Sequence, residues 1–291
     1  MKTKQKRLKM KRRQPNRSRG GDLAMYIILG LFAVVFAIPL VYLVCHAFKP
    51  LDEINKIPPS IFVNNPTLDN FTDLIVVLGQ SWVPFSRYLF NTVFITAVGT
   101  AGQLLIASMG AYVIAKYDFP GKRKFFAMVT TAMMFNGYVT TIPMYVIMAK
   151  FHFLDTFIAP IIPALAAPMG FFLMKQFMEG IPDALIEAAK IDGAKEWGIF
   201  TSIVMPNVKP AWLTLIIFSV QNLWNNPHSN YIFSEDLKTL PYALQQVTQA
   251  GVARAGVGAA VGLVMIIVPI GIFIFSESNI LETMASSGIK E

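Results

Sequence analysis

The sequence predicts an all-α, polytopic membrane protein with six transmembrane helices. Of its 291 residues, 54% are hydrophobic and only 14% are charged, a balance too apolar for a soluble domain of this size. Stretches without charge recur along the chain, and most approach the ~20 apolar residues that a spanning helix needs. Lys and Arg are concentrated on alternate connections, which predicts that both termini lie in the cytoplasm.

The N-terminal segment, residues 1–22, is predicted to be a cytoplasmic basic tail. Ten of the 25 Lys and Arg lie between Lys2 and Arg19, with no acidic residue among them. A nucleic-acid-binding arm is the alternative, but an apolar span follows at once, which favours a juxtamembrane tail. That span is longer than the core of a cleavable signal peptide, so it should remain as an anchor.

Charged residues delimit the elements that follow. A Pro-rich connection from Lys49 to Val83 separates the first two spans and should hold a short helix over 68–77. A polar loop over 226–254 separates the last two spans. The predicted transmembrane domain covers 23–276, a cytoplasmic tail covers 277–291, and the six spans are 23–48, 88–115, 125–149, 157–178, 211–225 and 255–276.

A polar segment, residues 179–209, interrupts the apolar pattern between spans four and five and should lie in the cytoplasm. It is predicted to fold as helix, turn and helix. Pro182 and Asp183 are typical of a helix start, because proline is tolerated in the first turn and an acid suits the positive helix end. Gly193 stands where a residue with positive φ ends such a helix. A second helix over 195–204 should stop at Pro206, since residues before proline avoid helical geometry.

The side chains of the polar segment predict a docking element for a partner outside the membrane. Ala188 and Ala189 should form a flat face, and Glu187 beside them is a lone charge for a basic partner. An apolar stripe should hold the second helix against the spans: Trp197, Phe200 and Ile203. A merely solvated loop is the alternative, but such a loop needs neither two helices nor exposed small residues.

Acidic residues are missing from the interior of the predicted spans. All 17 Asp and Glu lie outside the spans or at their ends. Proton- and ion-coupled carriers usually need ionisable groups at membrane depth. The distribution therefore argues against a secondary transporter and favours a permease driven from outside the membrane.

Polar residues in or near the spans are candidates for a solute pathway. A few convergent polar groups in an apolar pocket are typical of a solute site, and amides with aromatic faces suit a sugar. Hydrogen bonding between helices is the alternative for each of them. The candidates are Asn136, Tyr138, Gln221, Asn222, Trp224, Asn225 and Asn226.

The sequence predicts no metal or nucleotide site in this chain. Cys45 is the single cysteine, and the three histidines lack ligand spacing. The phosphate-binding pattern Gly-x-x-x-x-Gly-Lys-Ser/Thr is absent from the sequence, so the chain should not bind ATP through that motif.

The polar segment resembles the EAA loop of the membrane subunits of bacterial ABC importers. Glu187-Ala-Ala, then Gly193, then Ile203-x-x-Pro206 match that loop in residues, spacing and position between spans. The tail from Glu282 to Glu291 is similar to those of oligo- and polysaccharide permeases of Gram-positive bacteria. Other stretches resemble the carbohydrate-uptake, maltose-type branch: Phe153-Leu-Asp-Thr156, Gly170-Phe-Phe-Leu-Met174, Ile191-Asp-Gly-Ala194, Trp224-Asn225 and Leu237-Lys-Thr-Leu-Pro241.

The resemblance implies a non-catalytic permease subunit, multi-pass in the plasma membrane of a Gram-positive bacterium. Its implied partners are a second homologous permease subunit in a heterodimer, two cytoplasmic ATPase subunits, an extracellular sugar-binding lipoprotein and an oligosaccharide, with no nucleic acid. ATP and Mg would be bound by the ATPase and no cofactor by this chain. The implied ATPase-coupling residues are Glu187, Ala188, Ala189, Asp192, Gly193, Ile203 and Pro206.

Two other functions stay open at this point. One is a permease for another solute, such as a peptide or a phosphate ester, and the other is a membrane receptor or scaffold without transport. One departure from the family pattern also bears on the solute. Many relatives have an acidic residue after Trp224-Asn225, whereas this chain has Asn226, which puts an acidic sugar contact there in doubt and would suit an anionic sugar.

Overall fold

The computed structural model describes residues 19–79, 83–135, 137–249 and 255–287, and the described residues are helical with no β-strand. Most of the predicted basic tail therefore lies outside the described residues. The helices are α1 (Arg19–Ala47), α2 (Leu51–Ile54), α3 (Asp69–Gly79), α4 (Phe85–Lys116), α5 (Lys122–Ala132), α6 (Gly137–Lys150), α7 (Ile158–Leu165), α8 (Pro168–Glu179), α9 (Asp183–Ile191), α10 (Glu196–Ile199), α11 (Met205–Asn207), α12 (Lys209–Asn225), α13 (Leu240–Gln249) and α14 (Ala255–Ser287).

Among the described residues, four helical stretches are long and apolar enough to cross a membrane, namely Gly20–Ala47, Phe85–Lys116, Ile158–Glu179 and Ala255–Glu277. Two bent helix pairs bring the number to six if each is one span. The pair α5 and α6 bends by 109°, and the stretch Glu196–Asn207 bends by 80° against α12. The all-helical, apolar architecture is confirmed. The predicted third span falls on the bent pair α5 and α6, and the predicted fifth span, 211–225, falls on α12 alone.

Helix α4 lies at the centre of the bundle and packs against α7, α8 and α12. Glycines on α4 permit this close approach. A Cβ atom at Gly99 would lie 2.6 Å from Cδ1 of Leu223, and one at Gly102 would lie 2.5 Å from Cδ2 of Leu165. Both distances are far below van der Waals contact. Because the two glycines have no side chain, the neighbouring helices can approach α4 this closely.

Helix α1 lies at the edge of the bundle and packs mainly on α14. Its apolar side chains are largely exposed, and the spanning window of this helix is 0% buried within the chain. An apolar helix without cover from its own chain needs lipid or another protein around it.

The connection between α1 and α4 is more ordered than a simple loop. The predicted short helix in it is confirmed as α3. Asn70 of α3 donates its side-chain amide to the carbonyl oxygens of Ala47 at 3.0 Å and Lys49 at 2.7 Å. A Cβ atom at Gly256 would lie 2.2 Å from Oδ1 of Asn70, so α14 approaches this point closely. The buried amide therefore joins the end of α1 to the start of α14.

Helical structure extends beyond the predicted spans in two places. The connection over 226–254 contains a 3₁₀ turn at Glu235–Leu237 and the helix α13, rather than being a loop throughout. Helix α14 continues to Ser287, eleven residues past the predicted end of the last span. Polar residues beyond Ser276 end the apolar run but not the helix, because Glu, Leu, Met and Ala are good helix formers.

Candidate functional site

The polar segment folds as predicted over its first half. Helix α9 begins at Asp183 after Pro182 and ends at Ile191, and Gly193 follows with φ of 82°. The amide of Ala194 donates to the carbonyl oxygen of Ala189 at 2.9 Å, which closes the turn. The second helix starts at Glu196, just after this turn.

The second helix does not stop before Pro206 as predicted. It passes through a π-helical turn at Phe200–Val204 and continues as α11 to Asn207. The amide of Met205 bonds to the carbonyl of Phe200, five residues back. Pro206 has no backbone N–H and cannot donate a helical hydrogen bond. The π turn before it widens the helix, so Pro206 is accommodated within the helical stretch.

One face of α9 is buried and the other is exposed. Ile186 and Ala189 pack in a core cluster with Ala111 of α4 and Met178 of α8. The prediction of paired exposed alanines was therefore wrong for Ala189, which is only 8% exposed. The three-residue spacing of these two side chains puts both on the inner side of the helix.

The exposed face of α9 combines apolar side chains with acidic ones. Ala184, Glu187 and Ala188 are exposed, and Ile191 is 86% exposed. The spacing of four between Ala184 and Ala188, and of three on to Ile191, forms one stripe on the helix. Ile191 was missed in the sequence analysis, although its helical spacing from Ala188 indicates the same face. Asp192 is exposed next to it.

The predicted apolar stripe on the second helix is only partly correct. Phe200 is buried, and Ile203 packs against the same core cluster as Ile186. Trp197 is 60% exposed, although its ring lies 5.4 Å from that of Phe200. Trp197 stands before the π turn, so the widened helix does not bring it onto the face of the other two.

Two polar contacts attach the segment to the end of α4. Lys116 Nζ lies 2.7 Å from Oδ1 of Asp183, at the start of α9. Glu196 accepts hydrogen bonds from the hydroxyls of Tyr112, at 3.2 Å, and Tyr117. Lys190, in the last turn of α9, lies 2.8 Å from the other oxygen of Glu196. Bonds from Lys190 and Tyr117 hold the pKa of Glu196 below its usual range.

Toward the other end of α4, the bundle contains a partly open cavity of about 680 Å³. Its wall is mostly apolar with several amide and hydroxyl groups: Gln103, Thr140, Thr141, Ser219, Asn222, Asn226 and Tyr231. A second cavity of about 680 Å³, lined by Gln221, Asn222 and Asn225 of α12 together with α14, lies on a neighbouring face. In the part of the chain that the structure describes, no Asp, Glu, Lys or Arg lines either cavity. His228 in the first wall is buried, which lowers its pKa to about 4, so it is neutral at neutral pH.

The predicted pathway residues divide between these cavities and the core. Gln221, Asn222, Asn225 and Asn226 line the cavities. Trp224 was wrongly grouped with them as exposed lining, because it is 1% exposed and donates Nε1–H to the carbonyl of Met265 at 2.8 Å. It packs in a buried core cluster and lines an apolar groove between α4, α12 and α14. Tyr138 is 88% exposed and lies outside the lining of both cavities, and Asn136 lies outside the described residues.

Asn91 and Thr92 of α4 are structural rather than pathway residues. Asn91 donates to the carbonyls of Asp236 and Lys238 at 2.8 Å, and the hydroxyl of Thr92 accepts the amide of Leu240 at 2.8 Å. Both side chains are buried. They fix the 226–239 loop over this end of α4, as expected for polar groups that bond between elements.

Asp155 holds the same loop from the connection between α6 and α7. Its carboxylate accepts the amides of Phe233 at 2.9 Å and Ser234 at 2.8 Å, and also the Ser234 hydroxyl. Burial raises the pKa of Asp155, but these hydrogen bonds outweigh it and hold the pKa below its usual value. Asp155 has a φ of 58°, a conformation in which Asp and Asn are favoured.

We expect acid to release the 226–239 loop. Because the folded pKa of Asp155 is depressed, its contribution is complete above the unfolded value of 3.8 and is lost as pH falls through the lower folded value. Limited proteolysis within the loop should rise by about tenfold across this window, as charge-assisted bonds are lost. Asp155→Asn, which keeps the backbone conformation, should be cleaved rapidly at neutral pH, and its remaining rise in acid should be the smaller one that protonation of the buried His228, with a pKa of about 4, produces. Wild-type cleavage that does not change with pH would show that Asp155 does not hold the loop.

Comparison with known proteins places this architecture in one family. Residues 103–283 match the model of the binding-protein-dependent transport system inner membrane component. The arabinooligosaccharides transport system permease protein AraQ of Halalkalibacterium halodurans is 32% identical over 275 residues, covering 92% of this chain and 97% of that protein. The polygalacturonan/rhamnogalacturonan transport system permease protein YtcP of Bacillus subtilis is 27% identical, covering 76% and 74%.

A bacterial ABC transporter that imports the acidic polysaccharide alginate has the same fold. One of its chains superposes with a TM-score of 0.76 at 21% identity, covering 91% of this chain and 99% of that one. The predicted resemblance to the permease subunits of bacterial ABC importers is thus confirmed by sequence and by fold. The chain belongs to the family of binding-protein-dependent transport system inner membrane components.

Proposed function

We propose that this chain is the transmembrane subunit of an ATP-driven importer and forms half of the translocation pathway for an oligosaccharide. The observation that carries the proposal is the separation of two sites along α4. The docking helix, α9, lies at the C-terminal end of α4. A cavity with uncharged amide and hydroxyl groups lies toward the other end of α4. The similarity to a permease for arabinooligosaccharides over nearly its full length supports a sugar as solute.

The topology that suits this function has six spans in the plasma membrane with both termini in the cytoplasm. In this arrangement α5 and α6 together form the third span and α12 forms the fifth, while the stretch Glu196–Asn207 belongs to the polar segment. The positively charged connections, including Lys122, Arg123 and the polar segment, then lie on the cytoplasmic side, as the positive-inside rule requires. The 226–239 loop and the end of α4 that it covers lie outside, where a binding protein delivers its ligand.

The polar segment is proposed as the coupling element for an ATPase subunit. Glu187 would pair with a basic residue of the ATPase, and the exposed stripe of Ala184, Ala188 and Ile191 would rest in a cleft of that partner. Gly193 permits the turn, while Ile203 and the π turn before Pro206 anchor the second helix. ATP and Mg would be bound and hydrolysed by the ATPase, and this chain would be non-catalytic.

The remaining surface fits the other partners. The apolar face of α1, largely uncovered by its own chain, would contact lipid, and the open sides of both cavities would be completed by a second, homologous permease subunit. A sugar offers hydroxyls to amides such as Asn222, and uncharged walls avoid burying an unpaired charge beside it.

The solute class can be tested through the extracellular binding protein that co-purifies with the transporter. Its affinity should be measured against neutral oligosaccharides, uronic acid oligomers, peptides and phosphate esters. We expect saturable binding of one oligosaccharide class. Binding of a peptide or phosphate ester alone would replace the sugar with another solute, and an assembly without any binding protein would favour a non-transporting scaffold.

Asn222 is the pathway residue with the clearest expected effect, because it lines both cavities. Asn222→Leu should lower the rate of sugar uptake at low substrate concentration by about two- to tenfold, the effect of one lost hydrogen bond. Thr214→Val is the matched control on the same helix, since the Thr214 hydroxyl bonds to the carbonyl of Pro210 and lines neither cavity. Equal uptake by Asn222→Leu and wild type would remove Asn222 from the pathway.

A further inference from the structure

The docking helix α9 is held to α4 at both of its ends. At the start, Asp183 lies 2.7 Å from Lys116, whose side chain is 5% exposed at the last residue of α4. At the other end, Lys190 in the last turn of α9 lies 2.8 Å from Glu196, which the hydroxyls of Tyr112 and Tyr117 also reach. Both attachments therefore lead to the same stretch of α4, residues 112–117.

The carboxylate of Glu196 connects three elements across the Gly193 turn. One oxygen accepts the two tyrosine hydroxyls from the end of α4, and the other pairs with Lys190 of α9. Glu196 itself lies in the first turn of α10. Lys190 also lies over the ring of Tyr117, 5.1 Å from its centre, and this ring is nearly perpendicular to that of Tyr112.

These contacts are suited to positioning more than to stability. The side chains of Lys190 and Glu196 are 43% and 55% exposed, and exposed ion pairs contribute little to folding. The buried residues Ile186, Ala189 and Phe200 already hold the segment on α4 and α8. The polar contacts instead fix orientation. A carboxylate that accepts hydrogen bonds from three donors holds α9, α10 and the end of α4 at a defined angle to one another.

We propose that Glu196, together with the Asp183–Lys116 pair, clamps α9 to α4 so that a displacement of the docking helix moves α4 as one body. Glu196 is then a positioning residue for energy coupling. Helix α4 is the central helix of the bundle and carries Gln103 into the wall of the first cavity, so its movement reaches the pathway directly. This inference rests on the proposed function and names the contact through which coupling passes.

The test uses the full transporter, purified with its partners and reconstituted in proteoliposomes. For Glu196→Ala we expect ATP hydrolysis and subunit composition to stay near wild type, while sugar imported per ATP hydrolysed falls by about fivefold, at the lower end of allosteric coupling. Asp118→Ala is the matched control, since that exposed acid pairs with the neighbouring Lys122 and bonds to neither α9 nor Glu196 among the described contacts. It should keep the wild-type ratio.

A role in folding alone would lower import and hydrolysis in proportion and leave their ratio unchanged, which would overturn the proposal. The exchange of charges in Lys190→Glu with Glu196→Lys restores the ion pair but removes the carboxylate that accepts the hydroxyls of Tyr112 and Tyr117, so it should keep the lowered ratio. If the transporter with Glu196→Ala does not assemble, Tyr117→Phe takes its place, because it removes one hydrogen-bond donor to Glu196. Sugar imported per ATP hydrolysed then decides whether the clamp couples α9 to α4. Failure of the proposed function is distinguishable, because the wild-type transporter would then import no sugar with ATP.

Discussion

Gly193→Val is expected to abolish ATP-driven import while leaving the membrane helices folded. Gly193 has a φ of 82°, a backbone conformation that costs a β-branched residue about 1–3 kcal/mol of conformational free energy. A Cβ at this position would meet no atom within 4 Å, so the effect is one of backbone conformation and not of crowding. The turn between α9 and α10 would open, and import should fall by about tenfold or more.

Gly193→Asn provides the control for this mechanism, because asparagine tolerates the left-handed conformation better than other residues. It should keep most of the import activity. Gly198→Ala, in α10 with open space around its Cβ, should leave import unchanged. The measurement is uptake per ATP hydrolysed in proteoliposomes, and equal activity of the valine and asparagine variants would show that the turn conformation does not matter.

Glu187→Ala is expected to weaken binding of the ATPase. Glu187 is exposed on α9 between the apolar residues Ala184, Ala188 and Ile191, so it would be surrounded once the partner docks. Hydrogen bonds to a charged group contribute about 1.5–3 kcal/mol, which corresponds to a loss of about ten- to a hundredfold in affinity. The amount of ATPase that co-purifies with the variant in detergent measures the effect.

Two variants separate a lost charge from a damaged helix. Glu187→Gln keeps the shape and should recover part of the affinity. Asp118→Ala, which removes an acid from the turn between α4 and α5, should retain the full amount of ATPase. Import at the wild-type rate by Glu187→Ala, with the ATPase bound, would remove Glu187 from the docking surface.

The sequence was sufficient for features that depend on local chemistry. Pro182, Asp183 and Gly193 each have a conformational preference that does not depend on distant residues, and α9 and its turn form where these preferences place them. The apolar stretches and the similarity of Glu187 to Pro206 with the EAA loop predicted both the helical membrane architecture and the family.

Features that depend on packing between distant helices could not be predicted in this way. Ala189 and Trp224 have the sequence pattern of exposed or lining residues, but α4, α8 and α14 cover them. The π turn compensates for Pro206 in a manner that proline alone does not indicate. The contacts of Glu196 with Tyr112 and Tyr117 join residues about eighty positions apart, and no local pattern reports such a pairing.

Uptake of labelled oligosaccharide by proteoliposomes that contain the complete transporter tests the central proposal most directly. The sugar is the one that the binding protein selects from the panel. We expect accumulation inside the vesicles only when MgATP is on the side of the polar segment and the loaded binding protein is on the side of the 226–239 loop. Absence of ATP-dependent accumulation, or accumulation driven by a proton gradient without ATP, would contradict the account.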